Sequence, residues 1–369
     1  MLEQIGLVVA GAVVSLVFSI VFEDIARKWY GRARALKWTI MAALRSTTQH
    51  VIHDLFGIGR WRVPCVVLEG TPRHAYTPQR LTATLEQDDI RLPPELLILR
   101  ERVVAQQEQA AKRTGIPTFS NGPMVALSGY RFGRRGPFED SVLSLQFKRT
   151  DYYTFLATSM SLDEPVPGSQ TAGVTVRERF LHDVDYHRPI PELATSFGVT
   201  LAVVTSDRQL VVSRRGNEGL SAYRGAFTVS VSETVNPDTD VDANRRVDIY
   251  RTALRGLAEE MGIEAEVGDI QLISLCIDTR FYQYGMTGVV HLKDLSWESL
   301  VGRRSRGIKD KWEQRDWRPI NYQPESVKRF VEAEGGVGRW HPASVVAIVQ
   351  ALQQEFGDAE VERWLGGLN

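Results

Sequence analysis

RGLAEEMGI, residues 255–263, closes a helical pattern that runs through 249–261 as IYRTALRGLAEEM. Ile249, Ala253 and Leu257 share one stripe, with Leu254, Ala258 and Met261 alongside, so one face of this helix is committed to a core. Gly262 suits the helix end, because glycine accepts left-handed backbone angles without a Cβ penalty. Position 256, Glu259 and Glu260 stand three or four residues apart and gather on the other side. Carboxylates placed in this way share a hard divalent ion such as Mg²⁺, which neutralises phosphate charge and activates water. Here a glycine stands at 256, and glycine inside a helix costs about 1 kcal/mol relative to alanine, so helix stability does not account for it. Either it leaves room for a ligand, or the helix merely packs.

Outward from this helix, the preceding loop NPDTDVDANRRVD (236–248) is rich in Asn, Asp and Arg. Before it, GVTLAVVTSDRQLVVSRRG (198–216) reads as two apolar strands around a polar turn at Ser206-Asp207-Arg208, and AFTVSVSE (226–233) as a third strand. Further upstream, WRVPCVVLEG and LTATLEQDDIRL alternate as strands bounded by turns. A helix begins at Pro93-Pro94, continues through LLILRERVVAQQEQAAKR and stops before Gly115 and Pro117. MVALSGYRF, SVLSLQF and DYYTFLATSM read as further strands, EPVPGSQ (164–170) as a loop, and EFGDAEVERWLGGLN as a short closing helix. No internal repeat or low-complexity tract is present.

At the other end, residues 5–22, IGLVVAGAVVSLVFSIVF, carry no charge, and 18 residues at 1.5 Å rise give roughly 27 Å, near the hydrocarbon thickness of a bilayer. Glu3 before the run and Glu23-Asp24 after it, without a small-residue cleavage pattern, favour an uncleaved anchor over a secretory signal. Arg27, Lys28, Arg32, Arg34 and Lys37 follow, and basic residues beside a span stay in the cytoplasm, which puts the bulk of the chain there. Gly11, Ser15 and Ser19 recur every fourth residue, as do Gly6 and Ala10; such a stripe lets another helix approach closely, although small residues are common in spans generally. Leu36, Ile40, Leu44, Val51 and Leu55 then outline an amphipathic helix on the membrane face. His50 and His53 on its polar side read as surface residues.

The expected fold class is therefore α+β: a transmembrane helix at 1–24, a basic juxtamembrane helix at 25–57, a β-rich extension with one helix at 58–192, and a mixed sheet flanked by helices at 193–369. A formal net charge of -1 excludes a coat for long nucleic acid, which needs many excess cations to displace counterions. The two cysteines, Cys65 and Cys276, have no metal-ligand spacing and read as reduced, buried thiols, not as a disulfide framework or a zinc site.

The 255–263 segment resembles the box of the Nudix family, whose helix reads Arg-Glu, apolar, any residue, Glu-Glu, any residue, Gly, apolar. Arg255, Leu257, Glu259, Glu260, Gly262 and Ile263 match, and Ala253 fits the small residue before them. Gly256 replaces a principal metal ligand of the family, Val247 takes the place of an earlier glutamate with Asp248 only adjacent, and Val241 stands where the box opens with glycine. The resemblance implies a Nudix-like mixed sheet over 193–369, with two surviving helix carboxylates in place of a full metal cage.

An anchor joined through a β-rich segment to such a domain is similar to the transmembrane Nudix effectors of bacterial cyclic-oligonucleotide antiphage signalling, the SMODS-associated NUDIX group. That resemblance implies a single-pass protein of the bacterial inner membrane with its C-terminal domain in the cytoplasm. The domain would be a catalytically inactive sensor, without a metal or other cofactor. It would bind a cyclic di- or trinucleotide made by a partner nucleotidyltransferase, and binding would drive homo-oligomerisation through Gly11, Ser15 and Ser19 and breach of the membrane. The alternative is a tethered hydrolase of nucleoside diphosphate-linked substrates using Glu259, Glu260 and one of Glu233 or Asp248 with Mg²⁺.

A cyclic nucleotide presents phosphates and base faces, so its site combines guanidinium forks with aromatic platforms. Arg214 and Arg215 end a hairpin strand, Arg224 precedes the third strand, and Arg251 and Arg255 lie one turn apart on the helix beside Glu259 and Glu260. Arg255 and Glu259 also have the spacing of a helix ion pair. In KDKWEQRDWRP, Trp312 and Trp317 stand among lysines and arginines as stacking candidates, though tryptophan is equally at home in a core. GYRFGRRG offers Tyr130 and Phe132 beside Arg131, Arg134 and Arg135 in a glycine-flanked loop that would close over an anion.

Overall fold

Strict alternation sets one part of this molecule and continuous apolar runs set the other. In the computed structural model, which describes residues 55–115, 119–136, 140–168, 173–216, 223–305 and 314–366, Leu81, Ala83 and Leu85 are buried while Thr82 and Thr84 face out, the mark of a half-covered sheet. FGVTLAVV at 197–204 has no exposed position, because both faces of its sheet are covered. The strands are β1 Gly57–Ile58, β2 Trp61–Arg62, β3 Cys65–Glu69, β4 Leu81–Leu85, β5 Pro123–Arg135, β6 Asp140–Asp151, β7 Phe197–Val204, β8 Gln209–Arg215, β9 Phe227–Val229, β10 Val231–Thr234, β11 Ile270–Asp278, β12 Gln283–His291 and β13 Gln314–Asn321. The α-helices are α1 Pro94–Thr114, α2 Tyr152–Ala157, α3 Val176–Phe180, α4 Ile249–Met261, α5 Trp297–Ser305, α6 Pro324–Ala333, α7 Pro342–Phe356 and α8 Asp358–Gly366.

The main sheet runs β13-β8-β7-β12-β11-β3, with β9 on β8 and β10 on β7. It is mixed: β7 and β12 are parallel and the other pairs antiparallel. The expected third strand is broken at Ser230, whose hydroxyl donates to the Val211 carbonyl (2.6 Å), so its first half pairs with β8 and its second with β7. Ala202 and Val204 point into a core shared with α7 and α8, whereas Phe197 on the opposite face meets Phe147 of the three-stranded sheet β4-β6-β5 at 4.8 Å. Helix α4 lies on that second face, against β10 and β7. Residues 54–369 form one compact unit, and β3, from well before residue 193, supplies an edge of the main sheet.

The mixed α+β architecture matches the sequence expectation, as do α1, which ends on left-handed Gly115 (φ 82), and the hairpin turning at Arg208 (φ 58). DYYTFLATSM is not a strand. Asp151, in extended backbone, accepts from the Thr154 amide (2.8 Å) and starts α2, which continues into a 3₁₀ turn at 159–161. GYRFGRRG is not a loop either, since its arginines continue β5 in register with β6 out to Arg135. The apolar run at 5–22 with Gly11, Ser15 and Ser19, the juxtamembrane helix with His50 and His53, and Trp312 lie outside the described residues. Among the described residues no helix is long and apolar enough to cross a membrane.

Candidate functional site

Helix α4 is capped as its sequence requires: the Asp248 carboxylate accepts from the Arg251 amide (3.0 Å), and Gly262 closes the helix at φ 66. Ile249, Ala253, Leu257 and Met261 are buried as expected, but Ala258 is exposed, and Gly256 and Glu260, expected on the polar side, are buried. The cause is β10, which covers a flank of the helix that periodicity leaves to solvent. A Cβ at position 256 would stand 2.7 Å from Glu233 Cβ and 2.8 Å from Val231 Cγ1. Gly256 therefore makes no room for a ligand; β10 fills that space.

The acids around α4 are likewise engaged within the fold. Arg255, its side chain 19% exposed, bonds Asp240 through Nη2–Oδ2 (2.7 Å) and Nε–Oδ1 (3.2 Å), Glu233 through Nη1–Oε1 (2.8 Å), the Thr234 carbonyl (2.7 Å) and, more loosely, Glu259 (3.7 Å). Burial acts to raise the carboxyl of Asp240, but Arg255, the Asn236 amide and the Thr252 hydroxyl outweigh it and hold the group below its ordinary range. For Glu233, burial prevails over Arg255 and the carboxyl rises. Arg255 in turn stays protonated: burial opposes its charge, but Asp240 and Glu233 more than compensate. Glu260 turns inward and accepts from the Ser232 amide (2.9 Å), joining helix to strand. Mg²⁺, which the Nudix resemblance brings to mind, does not fit these acids, and among the described residues no three His, Cys, Asp or Glu side chains group as metal ligands.

The arginines proposed from sequence fall in separate places. Arg214 lies over the Phe227 ring (4.6 Å) near Glu334 (3.8 Å), which also takes Arg318 (2.6 Å). Arg251 is exposed on α4, and Trp317 of β13 is covered by Arg304 at 4.3 Å. Arg215 is near His341 at the start of α7, and Arg224 is exposed beside Tyr223.

At that last corner stand residues the sequence reading missed. Tyr223 packs edge-on against Phe281 (5.2 Å) and His341 (5.1 Å), and donates its hydroxyl to Asp278 Oδ2 (2.6 Å). Asp278 ends β11, and its other oxygen accepts from the Arg280 amide (2.9 Å). Burial pushes the Asp278 carboxyl up to about 6 against the pull of these donors, and burial with nearby Arg215 pushes His341 down to about 3. Cys65 and Cys276 are buried thiols, as expected, on neighbouring strands; the hydrogen bond to Cys276 and burial together hold the Cys65 thiol well up. A separate open cleft of about 500 Å³, bordered by Arg100, Arg149, Asp89 and Asp238, includes none of the residues proposed from sequence.

No family model and no curated protein matches the chain. Among solved structures it is similar to the protein DR0079 from Deinococcus radiodurans, with 16% identity over 42% of this chain and 82% of that one and a TM-score of 0.29. It is similar to a MutT/nudix family protein from Enterococcus faecalis, with 13% identity over 34% of this chain and 43% of that one and a TM-score of 0.25. A third similarity, to the MERS1 protein of T. brucei in its apo form, has 10% identity over 74% of this chain and 93% of that one and a TM-score of 0.24. The chain thus has a weak, distant structural similarity to Nudix-type proteins.

Proposed function

We propose that this protein is a membrane-anchored effector whose cytosolic, Nudix-like domain binds a cyclic oligonucleotide and does not cleave it. The observation that carries the non-catalytic part is the closure of α4 onto β10: Gly256 has no space for a carboxylate, Glu260 accepts from the Ser232 amide, and Arg255 is bound to both Glu233 and Asp240. Acids held in this way are not presented to a metal-bound phosphate. The uncharged run at 5–22 with its basic flank supports the anchor, and the Gly11, Ser15, Ser19 stripe supports self-association in the membrane. Arg215 and Arg224, on the side of the fold away from α4, support recognition of an anion there. For ligand to drive assembly it must bind the assembled state better than the resting one.

Calorimetric titration of the full chain in lipid nanodiscs with cyclic di-AMP, cyclic di-GMP and cyclic tri-AMP tests the reading. Saturable binding of one of them, with the nucleotide recovered intact, is the expected result. Heat of dilution alone for all three would remove the sensor reading. The hydrolase alternative requires Glu259, Glu260 and one of Glu233 or Asp248 to leave their present partners, and it makes the opposite forecast: product, not intact ligand.

A further inference from the structure

We infer that the phosphate of the nucleotide is bound where the β11–β12 turn meets the start of α7, with Arg280 as the recognising fork and Arg215 and Arg224 beside it. This rests on the nucleotide-sensing reading above and assigns it a place in the fold. Several other arginines of the described fold are already bound to carboxylates: Arg255 to Asp240 (2.7 Å), Arg100 to Asp151 (2.6 Å), Arg177 to Asp163 (3.0 Å), Arg318 to Glu334 (2.6 Å), and Arg149 to Asp238. An incoming anion would have to displace those acids. Arg280 is exposed; its charge pulls on the buried Asp278 carboxyl, but among the described residues its guanidinium makes no ion pair within 4 Å. Instead that guanidinium lies over Tyr223 at 5.6 Å and Phe281 at 5.8 Å. Stacking of this kind orients the planar fork while leaving its N–H edges for a ligand, and a planar fork matches two oxygens of one phosphate.

The surroundings hold this arrangement in advance of binding. Asp278 ties the Arg280 amide to the Tyr223 hydroxyl, joining the turn to a segment far away in sequence. Arg177, fixed by Asp163, donates to the carbonyls of Thr279 (3.2 Å) and Arg280 (2.5 Å) and braces the turn from behind. Tyr223 sits at φ 63, a left-handed conformation unfavourable for a bulky side chain, and Tyr282 follows the turn at φ 54. Such backbone persists only where its surroundings over-determine it. The neutral, buried His341 closes the aromatic group without adding negative charge. The acid that feels the charge of Arg280, the buried Asp278 carboxyl, is held by the Tyr223 hydroxyl and the Arg280 amide, which leaves the guanidinium edges for an anion, with exposed Arg224 beside Tyr223.

The nanodisc titration separates this inference from the reading it rests on. With whichever of the three cyclic nucleotides binds the wild type, Arg280→Gln is expected to weaken affinity at least tenfold and Arg280→Lys by a smaller factor. Tyr223→Phe, which releases Asp278, is expected to weaken it several-fold. Arg113→Gln, at an exposed arginine in the last turn of α1, is expected to leave it unchanged. An unchanged affinity in Arg280→Gln, with an unchanged melting temperature, would overturn the site and leave the sensor reading standing. If none of the nucleotides binds the wild type, the sensor reading falls, and the corner is titrated with inorganic pyrophosphate. Arg280-dependent binding then keeps it as an anion site, and no binding ends it.

Discussion

Gly256 decides at the residue scale what α4 can be. Helix propensity alone forecasts that Gly256→Ala gains about 1 kcal/mol. The contacts at 2.7 and 2.8 Å to Glu233 and Val231 reverse that sign, and a net loss of about 1–3 kcal/mol, the usual cost of overpacking, is expected in urea denaturation. A stabilised alanine variant would mean that β10 does not press on the helix. Asp278 offers a second residue-scale test. Folding raises its carboxyl from 3.8 to about 6 through burial, so the folded state favours the protonated form. The contribution to stability is therefore fully present below about pH 4, declines as pH rises through about 6, and totals about 3 kcal/mol. The wild type should lose that much relative to Asp278→Asn between pH 4 and 7, since His341 is common to both chains and cancels. A pH-independent difference would contradict it.

At the scale of elements, Arg255 joins three pieces of chain: α4, β10 and the acidic loop at 236–248. Removing it leaves the buried carboxylate of Asp240 without its main counter-charge, and Arg255→Ala is expected to cost about 3–5 kcal/mol, read as a fall in the midpoint of urea unfolding. A loss under 1 kcal/mol would show the network to be an ordinary surface one. The limits of α1 and α4 were legible because Pro94, Gly115 and Gly262 constrain the backbone itself. DYYTFLATSM misled because its aromatic and β-branched residues favour strands, whereas the Asp151 cap and the burial of Phe155 and Leu156 settle it as helix. Periodicity gave the direction of the buried face of α4 but not its width, so it placed Glu260 and Gly256 outside. Tyr223, Arg280 and His341 come from distant segments, and only the crossing of β11, β12 and α7 brings them together; the sole local hint was an arginine beside aromatics in a strand-connecting turn.

At the scale of the molecule, the proposed anchor at 5–22 and the proposed nucleotide sensor have to act as one device. If the small-residue stripe mediates assembly, Gly11→Leu with Ser15→Leu should abolish ligand-dependent toxicity in cells while leaving nucleotide affinity unchanged, and toxicity that persists would rule the stripe out. The central claim, that the fold retains a nucleotide without attacking it, is tested most directly by turnover. Full-length protein at high concentration is incubated with Mg²⁺ and either the bound cyclic nucleotide or ADP-ribose, and the mixture is resolved by chromatography. The account predicts that both compounds are recovered whole; magnesium-dependent product that disappears in Glu259→Gln or Glu260→Gln would contradict it.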